Sequence, residues 1–146
     1  MVTTEIRRDP ITGRSVVIDL TPSKPRSDFE TEPLPRDRKP EPCAFCEGQE
    51  ELTGDELLAW RDSTPPNTPG WSVRVVPEAD PYFRIELPLR REGVGLYDTI
   101  APRGATELIV ESPRHDDAPS TMGDAQWEQV LWMYAERIRD LKQLVA

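Results

Sequence analysis

Two cysteines separated by two residues are the most distinctive chemical feature of the sequence. Cys43-Ala44-Phe45-Cys46 places two thiolates within reach of one metal ion, and such a pair is too close in sequence to join distant segments. His115 is the one histidine of the chain, and a turn after the preceding strand can aim its imidazole at the cysteine loop. The pattern predicts a zinc site with Cys43, Cys46 and His115 as three of its four ligands.

Other interpretations of these residues stay open on pattern alone. A single CxxC is also found as a redox pair or as two small buried residues. A histidine beside Arg114, Asp116 and Asp117 can lie on the surface without binding anything. The basic residues of the first segment suit phosphate binding, but solvated charge is the simpler explanation. These residues are Arg7, Arg8, Arg14, Lys24 and Arg26.

The charge distribution limits the kinds of partner. The formal net charge of −9 argues against nucleic acid or an anionic membrane as the main partner. Residues 1–39 carry eight Lys/Arg and seven Asp/Glu, whereas residues 40–146 carry ten and twenty. Any anion-binding function is therefore expected in the first segment. The chain has no membrane-spanning apolar run and no signal-peptide core, which predicts a cytoplasmic protein.

Strands followed by one long helix are expected to position the candidate ligands. Residues 5–20 are predicted to form a hairpin, and residues 71–76 and 106–112 two further strands. From Asp124 onward apolar residues recur at helical spacing, with Thr121 as the cap. The apolar positions are Trp127, Val130, Leu131, Tyr134, Ile138, Leu141 and Val145. These elements predict an α+β fold in which a long C-terminal helix covers an antiparallel sheet.

Three segments carry other signals. Residues 21–42 contain six prolines among charges and are predicted to form an extended arm. Thr53-Gly54-Asp55-Glu56 matches a capping box, which predicts a short helix over the apolar residues behind it. Residues 80–104 combine a possible partly buried strand near Phe83 with three glycines that suggest turns.

Five segments, in order, match a known family. They lie at residues 6–14 (Ile-Arg-Arg-Asp-Pro-Ile-Thr-Gly-Arg), 27–29, 43–53, 70–77 (Gly-Trp-Ser-Val-Arg-Val-Val-Pro) and 104–115. Together they resemble the galactose-1-phosphate uridylyltransferase family of the histidine-triad superfamily. The resemblance implies that residues 1–146 are the N-terminal portion of a histidine-triad-like fold, apparently incomplete because it ends before a strand bearing His-Pro-His.

The resemblance also implies the chemistry. Cys43, Cys46 and His115 match three zinc ligands of the family, and the His-Pro-His segment supplies both the fourth ligand and the nucleophile. That histidine attacks the α-phosphorus of UDP-glucose, releases glucose 1-phosphate and passes the uridylyl group to galactose 1-phosphate. The implied function is a hexose-1-phosphate uridylyltransferase of galactose metabolism. We expect the 146-residue chain alone to be inactive, because it contains no catalytic residue.

The same resemblance implies the partners, which are a UDP-sugar and a hexose 1-phosphate bound by a homodimer. Lys24 and Arg26 lie nearest the family's phosphate-binding arginines, and Glu78 stands where the family has a nucleotide-binding asparagine. A carboxylate beside a phosphate is repulsive, so a related phosphorylase or adenylyltransferase acting on another sugar nucleotide, such as an ADP-sugar, is an alternative. A third interpretation is a zinc-binding module without catalysis.

Overall fold

The structure is a computed structural model that describes residues 4–21 and 42–143. Two compact units divide the chain, the first containing residues 1–41 and 86–103 and the second residues 42–85 and 104–146. The described strands and helix are, in chain order, β1 Thr4–Arg8, β2 Ser15–Asp19, β3 Leu58–Arg61, β4 Trp71–Pro77, β5 Arg91–Val94, β6 Tyr97–Ile100, β7 Glu107–Val110 and α1 Asp124–Gln143. The predicted α+β class is confirmed, with two antiparallel sheets rather than one.

The first unit contains a four-stranded antiparallel sheet in the order β2-β1-β6-β5. The hairpin predicted for residues 5–20 is present as β1 and β2. Its turn is stabilised by Asp9, whose carboxylate accepts the amide protons of Ile11 at 2.7 Å and Thr12 at 3.1 Å. Gly13 completes the turn with a φ of 71°. Local side-chain chemistry therefore defines the turn of this hairpin.

Residues 80–104 differ from the expectation of a strand near Phe83. The segment around Phe83 forms bends and turns, and the strands lie later, as β5 and β6. Gly95 makes the tight connection between them with a φ of 62°. Strand β6 gains its order from pairing with β1, since Ile100 lies opposite Ile6. That partner is distant in sequence, so the local pattern carried little signal.

The second unit contains a three-stranded antiparallel sheet in the order β3-β4-β7, with α1 packed on it. Strand β4 is central, and its Val73 and Val75 meet Val130 and Met133 of the helix in a core where all four are fully buried. Partly buried residues surround this cluster, namely Leu58, Ile109 and Trp127. The predicted packing of the C-terminal helix on a sheet is confirmed.

The helix differs from the prediction in its cap and in its buried face. The first helical bonds run to the carbonyl of Gly123, which accepts from Gln126 at 3.0 Å and Trp127 at 3.1 Å. Thr121 instead bonds the amide and carbonyl of Ala118, so it closes the preceding turn. Leu131, predicted as core, is 62% exposed, whereas Met133 is fully buried. The sheet lies against a face of the helix rotated from the one that the apolar stripe indicated.

The short helix predicted after Thr53 is wrong. A 3-10 helix spans Glu50–Leu52 instead, and the following residues lead into β3. The Thr53 hydroxyl donates backward to the carbonyl of Glu50 at 3.1 Å, and Glu56 forms ion pairs with Arg61 and Arg74. Both halves of the capping box are thus engaged elsewhere, and pairing with β4 makes the segment a strand.

Among the described residues, no helix combines the length and the apolar character needed to cross a membrane.

Candidate metal centre

The two cysteines and the histidine meet on the second unit. One ligand atom from each of Cys43, Cys46 and His115 lies within 4.8 Å of the other two. The Sγ of Cys46 is 3.7 Å from Nδ1 of His115, although 69 positions separate the residues. Both thiols are half-buried and free of disulfides, and the imidazole is exposed. The predicted approach of His115 to the cysteine loop is therefore present.

Backbone hydrogen bonds give the cysteine loop its shape. The amide of Cys46 donates to the carbonyl of Cys43 at 3.1 Å, which turns the two thiols toward the same side. The amide of Gln49 then donates to the carbonyl of Cys46 at 3.2 Å. Gly48 lies between them with a φ of 84°, a conformation that strains any residue with a side chain. The loop is thus a pair of consecutive turns.

A second contact joins this loop to the segment that carries His115. The amide of Glu47 donates to the carbonyl of Pro113 at 3.0 Å. The turn beyond Pro113 is held by Asp117, whose carboxylate accepts from the hydroxyl of Ser112 and from the guanidinium of Arg114. Strand β7 ends just before this turn, so the sheet places the imidazole of His115 close to the thiols.

The two thiols have pKa values shifted in opposite directions. The backbone amide of Phe45, followed by His115, lowers the pKa of Cys43. Burial and the neighbouring Cys43 raise the pKa of Cys46. Cys43 is therefore the more readily deprotonated of the two thiols.

This donor set suits a zinc ion. Zinc prefers thiolate and imidazole ligands, which lie about 3.7 Å apart around a tetrahedral ion with metal–ligand bonds of about 2.0–2.3 Å. The observed separations, all within 4.8 Å, need only a small contraction to reach that geometry. Three protein groups are supplied by the described residues, so a further ligand is required to complete a tetrahedron.

The structure adds supporting residues that the sequence did not single out. Glu50, only 6% exposed, accepts a hydrogen bond from the indole of Trp71 at 2.8 Å and from the amide of Gly48 at 3.1 Å. Arg74, 1% exposed, donates to the carbonyl of Glu50 at 3.3 Å and to the hydroxyl of Thr53 at 2.9 Å. Charged residues are usually solvated, so their types gave no hint of burial.

Of the predicted substrate residues the structure describes Glu78 alone, and Glu78 does not lie with the metal ligands. Glu78 follows the end of β4, where its amide donates to the carbonyl of Thr106 at 3.1 Å. The cysteine loop contacts the chain just before the other end of that strand, where the amide of Gly70 donates to the Glu47 carboxylate. The six residue steps from Trp71 to Pro77 span about 20 Å. Lys24 and Arg26 lie outside the described residues, as does most of the proline-rich arm.

No family model matches the chain, but individual relatives do. The ADP-glucose phosphorylase of Arabidopsis thaliana is 29% identical over 142 residues, which are 95% of this chain. A solved structure of a uridylyltransferase is 26% identical over 93% of this chain with a TM-score of 0.57, and a mutant uridylyltransferase is 28% identical with a TM-score of 0.55. The chain is a homologue of these enzymes. The resemblance to the uridylyltransferase family is therefore confirmed.

The relatives are much longer than this chain. It spans 39% of the phosphorylase and 34% of each uridylyltransferase chain. A crystal structure of the Arabidopsis thaliana ADP-glucose phosphorylase with bound ADP-glucose is 24% identical over 96% of this chain, with a TM-score of 0.53. That likeness shows that the two share a fold.

Proposed function

We propose that this chain is the N-terminal, metal-bearing part of a sugar-nucleotide transferase. The observation that carries the proposal is the meeting of Cys43, Cys46 and His115 in a homologue of a uridylyltransferase. Zinc is the proposed metal, and when bound it would link the cysteine loop to the turn after β7. Binding of that kind supports folding, because the ligands are separated in the unfolded chain.

The proposed reaction is nucleotidyl transfer in two steps through a histidine. A histidine nitrogen forms a bond to the α-phosphorus while the bond from that phosphorus to the departing sugar phosphate breaks. The acceptor phosphate then displaces the histidine. The one histidine of this chain lies in the candidate metal group, so we propose that the nucleophile comes from the family's His-Pro-His segment, which these 146 residues do not contain.

The first candidate substrates are UDP-glucose and galactose 1-phosphate, as in a hexose-1-phosphate uridylyltransferase of galactose metabolism. Lys24 and Arg26 are proposed to bind substrate phosphate, in keeping with the slight positive charge of residues 1–39. Glu78 is proposed to lie in the nucleotide pocket. The complete protein is proposed to be a homodimer.

A second candidate is an ADP-sugar phosphorylase or adenylyltransferase. Two observations favour it: the 29% identity to ADP-glucose phosphorylase, and a carboxylate at Glu78 in place of the amide that the uridylyltransferases use. The two candidates differ in the base that they recognise and in the acceptor. A zinc-binding module without catalysis is the remaining alternative.

The complete reading frame decides among these candidates. Its translation should contain His-Pro-His within a few tens of residues after Ala146, because the next strand returns to the cysteines. The full protein is then assayed with UDP-glucose plus galactose 1-phosphate and with ADP-glucose plus phosphate, and products are separated by anion exchange. Glucose 1-phosphate formed mainly from the first pair supports the uridylyltransferase, and formed mainly from the second supports the phosphorylase. Absence of the motif together with no turnover of either pair would leave the non-catalytic module.

A further inference from the structure

Glu50 is a buried acid placed four residues after the second cysteine. Glu50 is the first residue of the 3-10 helix Glu50–Leu52, and it is 6% exposed. Burying a carboxylate destabilises the fold unless the carboxylate is hydrogen-bonded or paired with a cation, so the partners of Glu50 explain why it can be buried.

The carboxylate bridges the cysteine loop and the central strand. Its Oε1 accepts from the indole of Trp71 at 2.8 Å, and both oxygens lie 3.1 Å from the amide nitrogen of Gly48. Trp71 is 3% exposed and begins β4, so it is a rigid partner. Gly48 is two residues from Cys46 and has a positive φ, so the bond fixes the turn just beyond the thiol.

Glu47 anchors the same turn from the other side. Its amide donates to the carbonyl of Pro113 at 3.0 Å, and its carboxylate accepts from the amide of Gly70 at 2.6 Å. The backbone after Cys46 is therefore held at two successive residues, once toward the segment with His115 and once toward β4.

We propose that Glu50 is a positioning residue for the metal group, which acts through the Gly48 amide to hold Cys46 facing His115. The proposal rests on the metal site proposed above. Glu50 does not touch the ligand atoms, so its effect comes from reducing the number of loop conformations that compete with the metal-binding one. Groups that orient metal ligands from outside commonly change metal affinity by about 10–100-fold when removed.

The test uses Glu50→Ala and Glu50→Gln in the 146-residue chain, with Zn²⁺ affinity measured by competition against a chromophoric chelator. We expect Glu50→Ala to weaken binding by at least about tenfold. Glu50→Gln should lose less, because its amide oxygen can replace the Oε1 that accepts from both Trp71 and Gly48. Glu51→Ala is the matched control, since Glu51 is an exposed acid of the same turn.

A second measurement separates positioning from general stability. In EDTA, the rate of thiol alkylation should rise in Glu50→Ala and remain unchanged in Glu51→Ala. Unchanged zinc affinity in Glu50→Ala, or an equal loss in the Glu51→Ala control, would overturn the proposal. If the wild-type chain binds no zinc while Glu50→Ala still exposes the thiols, the metal site is wrong and the control of the loop by Glu50 stands.

Trp71→Phe covers the case in which Glu50→Ala fails to fold. It removes the indole donor and keeps the ring, so its loss of zinc affinity should be smaller than that of Glu50→Ala. If the two residues act through one contact, adding Trp71→Phe to Glu50→Gln should cost less than the sum of the separate losses. Wild-type zinc affinity in Trp71→Phe would contradict the proposed bridge.

Discussion

Two buried charged side chains, Glu50 and Arg74, hold the segment that follows the cysteines. Arg74 lies on the central strand, donates to the carbonyl of Glu50 at 3.3 Å and pairs with Glu56 at 3.4 Å. The Glu56 carboxylate also pairs with Arg61. Removing one member of such a network leaves an uncompensated buried charge, which commonly costs about 3–5 kcal/mol. These residues therefore shape the site although they carry none of its chemistry.

The acidity of Glu50 gives a pH prediction. Burial favours the neutral acid, but hydrogen bonds from Trp71 and Gly48 together with the charge of Arg74 outweigh it and lower the pKa of Glu50 below its usual 4.5. A lowered folded-state pKa contributes stability above the unfolded value, and this contribution is lost as the pH falls through the folded value. We expect the unfolding free energy of wild type to fall below about pH 4.5 more steeply than that of Glu50→Gln.

Urea unfolding from pH 6 to pH 3, followed by tryptophan fluorescence, measures this difference. The experiment is done in EDTA, so that metal release does not contribute to the pH dependence. Other acids with lowered pKa values remain in both proteins and cancel in the comparison; they are Asp9, Glu92, Asp98 and Asp117. Parallel pH curves for the two proteins would show that Glu50 does not titrate as described.

Metal binding gives a second prediction for single residues. Purified chain should contain about one zinc per molecule, and Cys43→Ser should lower both the zinc content and the melting temperature. Elemental analysis and thermal unfolding with and without EDTA measure these effects. In EDTA the two proteins should melt at similar temperatures, because the variant then loses no metal contact. Equal melting of wild type and Cys43→Ser with zinc present would argue against the site.

At the scale of secondary-structure elements, α1 packs on β4 and so stabilises the sheet whose strand β7 leads to His115. Val130 and Met133 are fully buried against Val73 and Val75. Arg137 adds a polar contact at the edge, where its guanidinium donates two bonds of 2.7 Å to the carboxylate of Glu107 on β7. Two opposed apolar surfaces and one bidentate pair thus join the helix to the sheet.

Substitutions on the two sides of α1 test this packing. Met133→Ala empties a fully buried position and should destabilise the fold by about 2–5 kcal/mol. Leu131→Ala removes a side chain that is 62% exposed and should change stability by no more than about 0.5 kcal/mol. Urea unfolding gives both values. The reverse order would favour the helix face predicted from the apolar stripe.

For the whole molecule, this chain spans about a third of the uridylyltransferases that it resembles. It contains one histidine, and that histidine lies with the two cysteines. The metal group and the nucleophile are therefore proposed to come from different parts of the complete protein. Metal binding by Cys43, Cys46 and His115 can therefore be measured in this chain without an assay of nucleotidyl transfer.

The 146-residue chain should form no covalent nucleotidyl-protein. Incubation with UDP-glucose or ADP-glucose labelled at the α-phosphate, followed by denaturing electrophoresis, measures the adduct. The expected result is no label in wild type or in His115→Ala, because no histidine remains outside the metal group. Label that appears in wild type and disappears in His115→Ala would instead make His115 a nucleophile.

The features predicted correctly depend on residues close together in sequence. The hairpin at Asp9 follows from a carboxylate that bonds amides two and three residues ahead. The helix from Asp124 follows from apolar spacing, and the cysteine loop from the two-residue separation of its thiols. The approach of His115 to the thiols is the exception, since 69 positions separate it from Cys46. The sequence predicted it from a turn at the end of a strand and left a surface histidine as the alternative.

Tertiary structure decided the features whose partners are distant. Thr53 and Glu56 satisfy a local capping rule, yet Arg74 and the pairing of Leu58 with Val75 provide more interactions than an isolated helical turn. Glu50 is buried because its carboxylate accepts a hydrogen bond from the indole of Trp71, which lies 21 residues away in sequence. The sequence by itself determined the chemical groups and the local turns, whereas non-local packing determined which charged residues hold them in place.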